Sequence, residues 1–194
     1  HPSEFCVSTG GVDVAEQFAA LPFAHLLFTG SELVGKKVMR AAAENLTPIT
    51  LELGGKTPAI IDPSANLKDA AAAIVYGKLL NGGQTCIAPD YAVVHASNCE
   101  AFAHELQNAA QKQFSNPEEL TGAIDEHQLA RWHQLVQDAV DRGAQAIPLI
   151  ASTENIALAF TPVALFNVSE DALIMQEEIF GPILPIVAIN DLDS

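Results

Sequence analysis

Residues 24–31 read Ala24-His25-Leu26-Leu27-Phe28-Thr29-Gly30-Ser31, a short apolar run that stops at a turn. The run predicts a buried strand, and from Ser31 to about Asn45 the apolar positions recur with helical spacing. A second short apolar stretch, Ile49 to Leu53, predicts the next strand. Strand, helix and strand in this order are typical of the parallel unit from which α/β sheets are built.

The same alternation of short strands and longer helices continues to the end of the chain. Further strands are predicted at residues 59–61, 91–95, 146–150, 163–166 and 183–189. Either Asp62 or Asn66 caps the alanine-rich helix between the first two of these strands, and the pairs Ser97–Glu100 and Asp125–Gln128 have capping-box spacing. The sequence therefore predicts an α/β protein with a predominantly parallel sheet and helices on both faces.

The amino-acid composition limits the classes of partner that we expect this chain to bind and the cellular compartment that we expect for it. The 194 residues carry 24 acidic against 9 basic side chains, for a formal net charge of −15. This charge disfavours nucleic acid and anionic membrane as partners, because phosphate binding needs clustered Lys and Arg. No apolar run reaches the roughly 20 residues of a membrane span, and no secretory signal is recognisable. The three cysteines lack CxxC spacing, so we expect no disulfide framework, no metal site and a reducing cytoplasm.

Two motifs carry the chemistry. Cys86 ends the run Asn81-Gly82-Gly83-Gln84-Thr85-Cys86, on a Gly-bearing loop after an apolar helix. Glu52 stands at the end of a predicted strand and is followed by Gly54 and Gly55. A thiol on such a loop can attack a carbonyl, and a carboxylate nearby can move protons. The pair suggests covalent catalysis assisted by a general base.

Each motif alone also has an ordinary structural explanation. Glu52 would be a surface or capping carboxylate and Cys86 a small buried filler. Asn81 would end a helix, and the segment Gly30 to Gly35 would be a tight strand-to-helix turn rather than a pyrophosphate site at a helix N-terminus. Residues 176–182, Gln-Glu-Glu-Ile-Phe-Gly-Pro, would be an acidic turn before a strand.

The order of the motifs favours the functional interpretation. Four segments follow one another along the chain: Phe28-Thr29-Gly30-Ser31, Glu52-Leu53-Gly54-Gly55-Lys56, Gly83-Gln84-Thr85-Cys86 and Glu177-Glu178-Ile179-Phe180-Gly181-Pro182. In this order they closely resemble the NAD(P)-dependent aldehyde dehydrogenase superfamily. The continuation from Cys86 to Tyr91, Cys-Ile-Ala-Pro-Asp-Tyr, is similar to its class 3 and coniferyl-aldehyde branch.

The resemblance implies catalytic roles. Cys86 would be the nucleophile that adds to the aldehyde carbon, and Glu52 would activate the water that hydrolyses the resulting thioester. The backbone N–H of Cys86 would be one donor to the developing oxyanion. The family's second donor, an asparagine side chain, lies in an upstream segment that this sequence does not contain.

The resemblance also implies a cofactor, NAD or NADP. Gly30 and Ser31 would meet its pyrophosphate, Glu178 its nicotinamide ribose and Phe180 the nicotinamide ring. His1-Pro2-Ser3-Glu4 is similar to the family's Lys-Pro-Ser-Glu element, whose Glu binds the adenosine ribose. The full set of expected cofactor residues is Glu4, Gly30, Ser31, Val34, Gly35, Leu53, Gly54, Glu178 and Phe180.

By the same resemblance, residues 1–52 form part of a Rossmann-like NAD(P) domain, and residues 53–194 form a C-terminally truncated catalytic domain. We therefore expect a fragment of a cytoplasmic parent enzyme that acts on a small-molecule aldehyde as a homodimer or homotetramer. Two alternatives remain. Cys86 and Glu52 would hydrolyse activated esters without hydride transfer, or the fragment would be catalytically silent.

Overall fold

The computed structural model describes residues 4–153 and 157–190. The chain divides into two compact units, His1–Gly54 and Gly55–Ser194. This boundary is close to the expected domain junction at residues 52 and 53. The assignment of cofactor binding to the first unit and catalysis to the second stays a prediction. Of the segment likened to the Lys-Pro-Ser-Glu element, His1, Pro2 and Ser3 lie outside the described residues.

From residue 4 onward, the first unit forms two helices and two parallel strands. Their bounds are α1 Val12–Ala19, β1 Leu26–Gly30, α2 Glu32–Ala43 and β2 Ile49–Leu53. The strands pair in register from Leu26 opposite Ile49 to Gly30 opposite Leu53. Strand β1 begins later than expected and is not fully buried, since Leu27 is 66% exposed. In the described part of this unit, α2 packs on both strands from one side, so alternate side chains face solvent.

The second unit is built on a five-stranded sheet. Its elements are β3 Pro58–Ile61, α3 Leu67–Leu79, β4 Tyr91–His95, α4 Cys99–Gln113, α5 Glu126–Asp141, β5 Gln145–Pro148, β6 Val163–Phe166, α6 Leu173–Gln176 and β7 Ile183–Ile189. The strand order is β3-β4-β7-β6-β5, and among these five described strands only β5 runs antiparallel to its neighbour. The expected α/β class with a predominantly parallel sheet is confirmed.

Two apolar cores lie on opposite faces of this sheet. Successive residues of β6 alternate between them, with Val163 and Leu165 in one core and Ala164 in the other. Helices α3 and α4 cover the Ala164 side, and α5 with its buried Trp132 covers the Val163 side. Because β6 and β7 are buried on both faces, they read in sequence as continuous apolar runs.

The first turns of the helices show which of the predicted capping residues form an N-cap. Asn66 caps α3, since its Oδ1 accepts hydrogen bonds from the backbone N–H groups of Lys68 and Asp69, 3.1 and 3.4 Å away. Asp125 caps α5 by accepting from the N–H of Gln128 at 2.7 Å. The Ser97–Glu100 capping box was wrong: Ser97 lies in a 3₁₀ turn, and α4 begins at Cys99 without a side-chain cap. The Ser97 hydroxyl instead forms a hydrogen bond with the ring of His95.

Candidate active site

The Cys86 loop (residues 80–86) begins where α3 ends. Leu80 to Gly83 form a 3₁₀ turn in which Asn81, Gly82 and Gly83 have positive φ values of 54°, 62° and 72°. Asparagine and glycine enter this left-handed region at little cost, so the sequence Asn-Gly-Gly allows the abrupt turn. Asn81 thus lies just past the helix end, as its capping interpretation predicted, and it also begins the loop that carries the thiol.

Gln84 fixes the rest of this loop. Its Nε2 donates to the carbonyls of Asn81 and Gly122 at 3.1 and 3.0 Å, and its Oε1 accepts from the N–H of Ile124 at 3.0 Å. The Asn81 amide donates in return to the Gln84 carbonyl at 3.1 Å. Two residues further on, Cys86 is exposed. The expectation of a buried filler is therefore wrong, and the thiol is presented on an anchored turn.

The Cys86 loop packs against the segment that contains Glu178 and Phe180. Gly83 is buried, and a Cβ atom built on it would lie 2.4 Å from the carbonyl oxygen of Gly181. Such a distance is well inside van der Waals contact, so only glycine permits the two backbones to approach this closely. The second unit thus brings the loop of Cys86 next to residues 177–181, which we call the Glu178 loop.

An ion pair lies at the junction of these two loops. Lys56 pairs with Asp90 and donates to the carbonyls of Ile174 and Glu177 at 2.9 and 3.0 Å. The other carboxylate oxygen of Asp90, a residue only 3% exposed, accepts from the N–H of Ile179 at 2.9 Å. Asp90 stands four residues after the thiol in sequence, so the pair ties the strand after Cys86 to the Glu178 loop.

Glu178 and Phe180 are both accessible. The Glu178 carboxylate is half-buried and accepts from the N–H of Gly55 at 3.3 Å. Burial, with a smaller contribution from Asp90, raises its pKa above the ordinary value, although the Gly55 N–H, Arg131 and Lys56 oppose this. Phe180 is 38% exposed rather than packed in the core, so its ring is free to meet a ligand.

Lys78 is a charged residue of this region that the sequence interpretation missed. It is 2% exposed and lies on the face of α3 that also carries Ala71, Ile74 and Val75. Burial lowers the pKa of its ammonium from 10.5 to about 8, opposed by Asp90 and Glu178 and reinforced by Lys56. The signal was present in the sequence, since residues 71, 74, 75 and 78 have the spacing of one buried helix face.

We expect Lys78→Met to change the pH dependence of stability. The unfolded lysine titrates near 10.5 and the folded one near 8, so the unfolded state binds more protons between these values and native stability rises with pH. The free energy of unfolding of the natural protein, minus that of Lys78→Met, should therefore increase by about 3 kcal/mol from neutral pH to the upper end of this window. Urea unfolding at several pH values measures it.

The exposed Lys112 on α4 supplies the matched control. Lys112→Met removes the same charge from a hydrated position, so it controls for the loss of one positive charge in itself. Equal pH dependence of stability in the two variants would contradict a lowered pKa for the buried Lys78.

In the first unit, the expected pyrophosphate residues lie at the carboxyl end of β1. Ser31 is the N-cap of α2, with its Oγ accepting from the N–H of Val34 at 3.4 Å. Gly35 is buried, and a Cβ on it would lie 3.0 Å from the Leu53 side chain. Gly30 pairs with Leu53 across the two strands. Five expected cofactor residues, Gly30, Ser31, Val34, Gly35 and Leu53, thus share the sheet end where α/β folds bind dinucleotides.

The remaining expected residues are exposed. Glu52 is next to last in β2, opposite Thr29, and its side chain points away from the covered face of the pair. Gly54 follows the strand, and Glu4 lies in a turn at the start of the described residues. Glu52 belongs to the first unit and Cys86 to the second. Among residues 4–153 and 157–190, no group of three or more His, Cys, Asp or Glu could hold a metal ion.

This chain matches known proteins over nearly all of its length. Residues 4–194 match the sequence profile of the aldehyde dehydrogenase family. A probable coniferyl aldehyde dehydrogenase of Pseudomonas aeruginosa is 49% identical over 194 residues, covering 98% of this chain and 40% of that protein. The resemblance expected from the motifs, including its coniferyl-aldehyde branch, is confirmed. The chain spans about 40% of the length of this relative.

Two solved structures show the same fold. The substrate-bound state of a Staphylococcus aureus AldH has a TM-score of 0.87 at 39% identity, covering 95% of this chain and 40% of that one. Aldehyde dehydrogenase C of Pseudomonas syringae, a mutant complexed with NAD+ and octanal, has a TM-score of 0.83 at 25% identity, with coverage of 93% and 39%. The fold expected from the sequence is that of these enzymes.

Proposed function

Because this chain belongs to the aldehyde dehydrogenase family, we propose that the whole protein oxidises an aldehyde to a carboxylic acid with NAD+ or NADP+. The observation that carries the proposal is the exposed thiol of Cys86 on a loop packed against the Glu178 loop. A nucleophile and a ribose-binding carboxylate on two adjoining, anchored loops suit a reaction in which the carbon bonded to sulfur loses a hydride.

The residues of each unit fit such a cofactor. In the first unit, Gly30 and Ser31 would hold the pyrophosphate at the N-terminus of α2, where backbone N–H groups and the helix dipole favour an anion. Gly35, in the first turns of α2, lets the Leu53 side chain approach so closely that a Cβ here would require this side chain to shift. Val34 would contact the adenine, Leu53 and Gly54 the nicotinamide, and Glu4 the adenosine ribose. In the second unit, Glu178 would bind the nicotinamide ribose and Phe180 would brace the ring.

The chemical steps follow from these roles. The Cys86 thiolate adds to the aldehyde carbon, and the backbone N–H of Cys86 donates to the new alkoxide. NAD+ or NADP+, when bound, would supply the hydride acceptor. Cys86 would hold the carbon that loses the hydride, and the carbonyl would then be restored as a thioester on Cys86. Glu52 removes a proton from water, which attacks the thioester. The acid is released and the thiolate is regenerated.

Replacement of Glu52 by Gln tests this assignment in the whole protein. The natural protein should reduce NAD+ or NADP+ only when an aldehyde is present. In Glu52→Gln, steady-state turnover should fall by about 10²-fold or more, the usual contribution of a general base, because the thioester is no longer hydrolysed efficiently. One equivalent of reduced cofactor should still form per Cys86 thiol in a rapid first phase, measured by stopped-flow absorbance.

Glu44, an exposed residue at the end of α2, provides the control. Glu44→Gln should turn over normally. Unchanged steady-state turnover in Glu52→Gln would exclude Glu52 as the base. A natural protein that never reduces either cofactor with any aldehyde would contradict the proposed function itself.

The exposure of Cys86 also supports the second candidate, thiol-dependent ester hydrolysis. Hydrolysis of an activated ester with and without NAD+ separates the two activities, and the Gly30–Gly35 turn and the Glu178 loop favour the dehydrogenase. A catalytically silent fragment would bind no cofactor. A cytoplasmic location, a homodimeric or homotetrameric parent and the absence of nucleic-acid partners stay predictions. Across the described residues, no helix is both long enough and apolar enough to cross a membrane.

A further inference from the structure

Helix α5 holds the main chain of the Glu178 loop through side chains. Gln128 Nε2 and Trp132 Nε1 both donate to the carbonyl of Phe180, at 3.0 and 3.1 Å. The guanidinium of Arg131 donates to two consecutive carbonyls, that of Ile179 at 2.8 Å and that of Glu178 at 2.5 Å. One face of α5 therefore supplies donors to three successive carbonyls of the loop.

The loop that these donors hold is strained. Phe180 has a φ of 48°, a left-handed conformation that is rare for an aromatic residue. Such a conformation costs on the order of 1–3 kcal/mol and persists where the surroundings over-determine it. The next residue, Gly181, packs so closely on Trp132 that a Cβ would lie 2.1 Å from the indole nitrogen. Contacts with α5 therefore maintain the strained conformation of Phe180.

Contacts on other sides of the loop complete this restraint. Asp90 accepts from the N–H of Ile179 at 2.9 Å, while Arg131 donates to the carbonyl of the same residue. Arg131 also pairs with the Glu177 carboxylate at 3.3 Å. Hydrogen bonds or an ion pair therefore restrain the residues on either side of Glu178 and the carbonyl of Glu178 itself. The N–H of Gly55, at 3.3 Å, orients the Glu178 carboxylate.

We propose that Arg131 is a positioning residue for cofactor binding, which holds the main chain of Glu178 so that its carboxylate meets the two hydroxyls of the nicotinamide ribose. The proposal rests on the proposed function. Arg131 is suited to this task because its planar fork reaches two carbonyls and a carboxylate at once, and its charge strengthens each hydrogen bond. A lysine at this position offers one ammonium point and cannot span the same three acceptors.

Three variants of the whole protein test the proposal. Arg131→Gln should raise the Kd for NAD+ or NADP+, measured by calorimetry, about tenfold to hundredfold, because hydrogen bonds from a charged donor are lost. Arg131→Lys should recover only part of this affinity. Arg142→Gln is the matched control: Arg142 follows the same helix and forms an i,i+4 pair with Asp138 at 3.0 Å instead of contacting the carbonyls of the Glu178 loop. Its cofactor affinity should be unchanged.

A second readout separates positioning from general damage. The rate at which iodoacetamide alkylates Cys86 without cofactor, followed by mass spectrometry of the modified peptide, should stay within about twofold in Arg131→Gln, since the Gln84 contacts that anchor the thiol remain.

Unchanged cofactor affinity in Arg131→Gln would overturn the proposal, as would full recovery in Arg131→Lys. An equal change in cofactor affinity and in Cys86 alkylation would overturn it too, because that pattern indicates a structural role. If the natural protein binds neither cofactor, the proposed function fails together with this inference. If the natural protein binds cofactor and only the variant result disagrees, the positioning role alone fails.

Discussion

Cys86→Ala is expected to abolish aldehyde-dependent formation of NADH or NADPH in the whole protein, with a loss of at least about 10⁴-fold in kcat. The loss is large because the thiol is the atom to which the substrate carbon is bonded during hydride transfer, and no water at that point can form the same covalent intermediate. The measurement is the absorbance of the reduced cofactor in the presence of an aldehyde.

Two controls make this result specific. Cys99→Ala removes a half-buried thiol at the start of α4 and should leave turnover near the natural value. Cys86→Ala should bind NAD+ or NADP+ with little change, because the expected cofactor residues are intact. Undiminished turnover in Cys86→Ala would remove Cys86 from its role. Loss of cofactor binding together with turnover would indicate that the loop had been disturbed.

Gly83→Ala is expected to damage both stability and activity, although it adds one methyl group. Gly83 has a φ of 72°, and the new Cβ would lie 2.4 Å from the Gly181 carbonyl and 2.7 Å from that of Lys78. Both obstacles are backbone atoms, so the two loops must move apart. We expect a loss of about 2–5 kcal/mol in the free energy of unfolding. Displacement of the thiol from the Glu178 loop should lower kcat about 10²-fold.

Gly143 separates the two causes of this effect. It follows α5 with a φ of 100°, but a Cβ on it would meet no atom within 4 Å. Gly143→Ala therefore suffers conformational strain without a clash, and should lose only about 1–2 kcal/mol and retain activity. Denaturant unfolding and steady-state kinetics on both variants measure the difference. Equal losses in the two would show that close packing of the two loops is unimportant.

Local pattern was sufficient for most of the fold. The bounds of β2, β4, β6 and β7 agree with the predicted strands residue for residue. Each is a short apolar or alternating run, and the period of apolar residues along a segment depends on its own backbone geometry. The predicted capping boxes agreed less well with the structure. Asp125 caps α5, but the Gln128 side chain, which a capping box would turn back to the cap, bonds to Phe180 instead.

For the candidate site, too, the sequence predicted some residues and missed others. Cys86, Glu178 and Phe180 were chosen on motifs alone, and their loops adjoin in the second unit. The residues that hold those loops were missed, although Lys56 and Asp90 lie inside quoted motifs. Arg131 stands between ordinary helix residues, and no local pattern marks it, since its partners are 47 and 48 residues away in sequence.

The amino-acid sequence by itself determined the order of strands and helices, the parallel α/β class and the family, because these depend on local periodicity and on short motifs in a fixed order. Tertiary structure alone decided which side chains became restraints: the buried Lys78, the Lys56–Asp90 pair and the α5 donors that hold a strained Phe180. Their energies come from burial and from hydrogen bonds between distant segments. Such terms exist only once the chain has folded and water has been excluded.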